Sequence, residues 1–133
     1  LKPSKLFINI GTNDLSNPDI PIAEMIANYD KIICQVKDSL PDVSIYFMEY
    51  YPINYDAATD EMKPCLLVRT NKRIDEANAA VRALAQKHNE MYIDITAPLK
   101  DENGNLKAEY TIEGMHINED GYRSIFPEFM KYV

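Results

Sequence analysis

Three short apolar runs, at 5–10, 43–49 and 91–95, are separated by two long segments in which apolar residues recur every three or four positions. That alternation leaves few folds open. An apolar run with almost no polar residue between its members suits a strand covered on both faces. A strand that returns to its sheet through a helix does so by a right-handed crossover into a parallel neighbour. The expected fold class is therefore α/β, a parallel sheet with helices on its faces. Ligands in open sheets of this kind bind beyond the carboxyl ends of the strands.

Between the first two runs, Ile22, Met25, Ile26, Tyr29, Ile32, Ile33, Val36 and Leu40 keep the spacing of one helix face, with Pro21 suited to a first turn and Pro41-Asp42 ending the helix. Cys34 falls inside this pattern and reads as core. Segment 53–63, with Asp56, Asp60 and Glu61, is polar and aperiodic and reads as a loop able to border a site. Residues 66–89 read as a single helix with Leu67, Ile74, Ala77, Val81, Leu84 and Ala85 facing inward. After the third run come an Asn-Gly turn at 101–105 and a last helix, with Asn118 as its N-cap and Glu119 and Asp120 in its first turn. Tyr122, Ile125, Phe126, Phe129 and Met130 form the apolar face of that helix, and Pro127 within it predicts a kink or a later start.

At 133 residues the chain fits one domain over 1–133. A net charge of -7, with Lys2, Lys5, Lys72, Arg73 and Lys87 forming no contiguous stripe, argues against a nucleic-acid partner. No apolar run approaches the roughly 20 residues that span a bilayer. Cys34 and Cys65 are too few and too far apart for a disulfide scaffold or a zinc site, and no metal or organic cofactor is expected. The compartment stays open.

Two polar clusters follow strands and could meet at the carboxyl edge of the sheet: Gly11-Thr12-Asn13-Asp14 and Glu113-Gly114-Met115-His116. A carboxylate three residues before a histidine, with a glycine between them, can orient an imidazole as half of a nucleophilic triad. It can equally cap or decorate the helix that follows, and spacing alone leaves both readings open. Asn13 can donate to an oxyanion, a contribution of roughly 3 kcal/mol in a transition state, or can bond its own turn. His88, near the end of a helix, reads as structural, and Asp94 as a strand-end cap.

Phe7-Ile8-Asn9-Ile10-Gly11-Thr12-Asn13-Asp14 resembles the third block of the SGNH hydrolases, the GDSL-like lipases and acylhydrolases, with its Gly-x-Asn-Asp core. Glu113-Gly114-Met115-His116-Ile117-Asn118 with Gly121-Tyr122 resembles the family's last block, Asp-Gly-x-His followed by Asn and Gly-Tyr. The resemblance covers essentially the whole chain. It implies a three-layer α/β/α flavodoxin-like fold and a small ester substrate, such as an acetyl ester of a carbohydrate. It also implies His116 as general base, Asn13 as oxyanion donor, and Glu113 where the family carries aspartate.

The family's Gly-Asp-Ser block, which would carry the nucleophile, has no counterpart here, and Ser4, Ser16, Ser39, Ser44 and Ser124 all lack its strand-to-turn setting. The nucleophile is thus unassigned. The chain opens on Leu1 rather than Met and offers few strands for such a fold. The expectation is the carboxyl-terminal part of an esterase, incomplete at its amino end and inactive alone. The competing expectation is a non-catalytic assembly or binding module. On either, the unpaired edge beside Leu6 to Ile10 predicts a homodimer or another partner strand.

Overall fold

The computed structural model describes residues 2–133, so Leu1 lies outside the described residues. Strands β1 (Lys5–Ile8), β2 (Ser44–Met48) and β3 (Met91–Ile93) form one parallel sheet in the order β1-β2-β3. Leu6 pairs with Ile45, and Phe47 with Tyr92. Each strand is shorter than its apolar run because the run continues past the last ladder pair. Asn9, just beyond β1, turns its side-chain amide onto the Glu49 carbonyl at 3.1 Å.

Alternate strand residues serve opposite faces. Ile8, Ile45 and Phe47 join one core with Met25, Tyr29 and Ile33 of α1 (Ile22–Ser39) and Ile74, Ala77 and Val81 of α3 (Asn71–Lys87). Phe7, Tyr46, Met48 and Ile93 join the other, with Ile125 and Phe129 of α4 (Glu119–Phe129). The result is three layers, helix, sheet, helix.

Several expectations are corrected. The single helix over 66–89 is two: α2 (Lys63–Val68) and α3, parted at Arg69 and Thr70. Thr70 is extended and its hydroxyl accepts the Arg73 N–H, an N-cap that starts a new helix rather than continuing the old one. Because α2 runs separately, Leu67 is turned to solvent. Cys34 is exposed, since it sits about 100° around α1 from buried Ile33. Of the five apolar residues expected on the inward face of α4, Ile125 is buried and Phe129 half-buried, while Tyr122, Phe126 and Met130 are exposed. Of the two outcomes expected of Pro127, a kink or a later start, the later start does not occur: α4 begins at Glu119, and a proline in the last turn removes one backbone bond near an end that frays anyway.

The Asn-Gly excursion is a small hairpin: Lys100 bridges Leu106, Asp101 N–H reaches the Asn105 carbonyl, and Gly104 takes φ +81°. No helix among the described residues is long and apolar enough to cross a membrane.

Candidate functional site

The last polar cluster is built as a tight closed turn. Thr111 and Ile117 form an antiparallel bridge, and the Thr111 hydroxyl donates to the His116 carbonyl while accepting the Gly114 N–H. Gly114 adopts φ +94°, and a Cβ there would lie 2.5 Å from the Asn54 carbonyl and 2.8 Å from the Ala58 Cβ. Glycine is therefore required twice, by conformation and by space. Asn54 and Ala58 come from the loop at 53–63, which buttresses the turn from below, while its acidic residues Asp56, Asp60 and Glu61 stay exposed.

Within the turn, Glu113 Oε1 accepts the His116 backbone N–H at 2.7 Å and the Met115 N–H at 3.2 Å, and lies 2.9 Å from His116 Nδ1. Burial alone would push the Glu113 carboxyl up. The bonds from the His116 backbone and ring, the His116 charge and the Met115 N–H outweigh it and hold the group below its usual range. An ionised carboxylate only accepts, so Nδ1 carries the hydrogen, and in the neutral form of the ring the lone pair is on Nε2. Helix α4 anchors the other side of the turn. Asn118 Oδ1 caps it by accepting the Gly121 N–H, and Asn118 Nδ2 donates to the Glu109 carbonyl.

The first polar cluster leaves β1 through Gly11 at φ +92°, where a Cβ would come within 3.1 Å of the Tyr50 hydroxyl. Asn13 then opens a 3-10 turn over Asp14–Ser16. Its side chain makes no capping bond, so the self-bonded turn asparagine is not what the fold adopts.

The two clusters meet. Asn9, Thr12, Asn13, Tyr51, Arg69 and His116 line one cleft of about 290 Å³ beyond the carboxyl ends of the strands. Among the described residues no serine lines it. Ser4 and Ser44 are joined by a backbone bond at the amino ends of β1 and β2, and the Ser124 hydroxyl donates to the Gly121 carbonyl within α4.

Arg69 and Tyr51 escaped the sequence reading. Arg69 was absorbed into an expected continuous helix, and the one available signal was the N-capping Thr70 beside it. His88 caps α3, and its Nε2 lies 2.6 Å from Asp30 Oδ1. Asp94 accepts the Thr96 N–H and hydroxyl at the end of β3. Asp30, Cys34 and His88 are the metal-ligand types that cluster among the described residues, their donor atoms within 4.8 Å, and none of the three lines the cleft.

A family model for GDSL-like lipases and acylhydrolases matches residues 1–124. A GDSL esterase/lipase of Oryza sativa subsp. japonica is 22% identical over 142 residues, covering 100% of this chain and 54% of that protein. Among solved structures, a candidate platelet activating factor from Streptococcus pneumonia is 30% identical with a TM-score of 0.86, covering 97% of this chain and 59% of that one. An acetylxylan esterase from Geobacillus stearothermophilus superposes with a TM-score of 0.70 at 18% identity, covering 98% of this chain and 59% of its own. The chain thus spans little more than half the length of these relatives. Its fold is the flavodoxin-like α/β/α fold that they share.

Proposed function

Because the chain belongs to the GDSL-like lipase/acylhydrolase family, we propose that it supplies the base, the acid and one oxyanion donor of an ester hydrolase. One observation carries the reading: Asn13 and His116, far apart in sequence, line one cleft, with the His116 ring held by Glu113 through Nδ1. In the proposed reaction a serine hydroxyl attacks the ester carbonyl while His116 Nε2 takes its proton. Glu113 stabilises the imidazolium that forms, and the Asn13 amide donates to the oxyanion. The imidazolium then returns its proton to the departing alcohol, and water repeats the sequence on the acyl-enzyme.

No serine of this chain is assigned as the nucleophile, and the 133-residue chain by itself is proposed to be inactive. The finer substrate, an acetyl ester of a carbohydrate, draws on the acetylxylan esterase among its neighbours in fold.

The test is hydrolysis of p-nitrophenyl acetate by the full gene product that contains these residues. His116→Ala is expected to lower kcat/KM by roughly a thousandfold or more, and Asn13→Ala by about a hundredfold. Activity that survives His116→Ala overturns the proposal. A second reading, a non-catalytic assembly or binding module, is favoured by a cleft lining that holds no serine among the described residues. It predicts no turnover by the full gene product and no labelling by an organophosphonate probe.

A further inference from the structure

Arg69 sits at the break between α2 and α3 with 7% of its surface exposed. A guanidinium presents five donors in a planar fork and stays charged, so burying it without acceptors is costly. Its partners here are poor. One terminal N–H donates to the Met115 sulfur at 3.2 Å, a weak acceptor, and the buried Nε has none. Among the described residues no ion pair includes it.

Arg73, a turn further on, also has an unpartnered Nε, yet its terminal nitrogen donates to the Asn17 and Ile20 carbonyls and so ties two segments together. Arg69 has no such structural task. It lines the cleft beside Asn13 and His116, and among the described residues no carboxylate shares that lining although the chain carries a net charge of -7. Arg69 is the one fixed charge among the described residues that line the cleft, with the Glu113 carboxylate set behind His116.

We propose that Arg69 forms an anion subsite of the cleft, which takes a carboxylate or phosphate group carried by the ester-bearing molecule. The ester rests on the hydrolase reading above, and the anion on Arg69 alone. Contact through Met115, the residue before His116, places the subsite against the turn that holds the ring. A bidentate oxyanion would satisfy donors that the fold leaves open.

The experiment is an NMR titration of the full gene product carrying His116→Ala, so that esters persist, following the Arg69 Nε–H signal. The probes are monomethyl succinate, acetoxyethyl phosphate, neutral dimethyl succinate and inorganic phosphate. At least one anionic ester is expected to bind roughly tenfold or more tightly than the neutral diester while shifting the Arg69 signal. Which one does so identifies the anion. Added salt should narrow the gap, Arg69→Gln should close it, and Arg69→Lys should keep part of it. Should Arg69→Gln fail to fold, the comparison of charged and neutral esters with Arg69 in place still decides. Equal affinities overturn the proposal, and so does inorganic phosphate binding as tightly as acetoxyethyl phosphate. Because the titration needs no turnover, a clear gap in a protein whose His116 form is inactive keeps the subsite and sinks the hydrolase reading. Turnover without a gap does the reverse.

Discussion

A single carboxylate oxygen of Glu113 bonds both the backbone N–H and the ring Nδ1 of His116, at 2.7 and 2.9 Å. The same atom therefore fixes the shape of the turn and the tautomer of the ring. The reach of the glutamate side chain brings one oxygen to both donors.

Shortening that side chain should separate the two roles. Glu113→Asp is expected to lose one of the bonds and Glu113→Gln to lose the charge that favours imidazolium. In the full gene product, Glu113→Gln should lower kcat by roughly 10²- to 10⁴-fold with KM little changed. Steady-state kinetics on p-nitrophenyl acetate measures this, and a kcat within threefold of the parent would remove Glu113 from the proposed triad.

Acid should loosen the same turn. The Glu113 carboxyl is held below its usual range in the fold, so the unfolded chain binds its proton first as pH drops. Its stabilising contribution is complete above the ordinary glutamate value of about 4.3 and disappears as pH falls through the lower folded value. Urea unfolding between about pH 6 and about pH 3 should show the parent losing stability more steeply than Glu113→Gln. Parallel curves would mean that the bonds contribute nothing net.

Gly114 and Gly104 share a positive φ but not their surroundings. A Cβ at Gly114 meets Asn54 and Ala58 backbone, while one at Gly104 meets nothing within 4 Å. Gly114→Ala should cost about 3 kcal/mol or more, and Gly104→Ala only about 1 kcal/mol, the conformational part alone. Denaturant midpoints of the two variants give the comparison, and equal losses would show that Ala58 and Asn54 move aside freely.

How far the chain can be read without its structure depends on the range of the interaction. The sheet, its parallel order and most of the α1 face were legible because periodicity reports burial directly, as at Met25, Tyr29 and Ile33, although Ile32, expected on that face, is exposed. That Asn13 and His116 could meet was legible from the topology, since both clusters follow strands, whereas spacing left the role of each with a local alternative. Arg69 was not legible, because what marks it is the absence of a partner in three dimensions. Cys34 was misread because its place on α1 is set by one helix step from Ile33 and not by its own hydrophobicity. Its exposure makes a fourth prediction: iodoacetamide should alkylate Cys34 in the native protein much faster than half-buried Cys65, as peptide mass mapping would show. Equal rates would return Cys34 to the core.

The free side of β1 makes the last prediction. Among the described residues β1 pairs with β2 alone, leaving one row of backbone donors and acceptors without a strand. Helix α4 lies over this strand, with the Phe7 and Phe129 rings 4.7 Å apart, and carries Phe126 at 59% exposed and Met130 at 47%. An unpaired edge beneath a helix with exposed apolar side chains favours association, because pairing the edge and covering the helix act together. The 133-residue chain is expected to sediment as a dimer at micromolar concentration, and Phe126→Glu, which places a charge on that helix, should shift it toward monomer. A stably folded chain that sediments only as a monomer would show that β1 tolerates an open edge, and the association argument would fail.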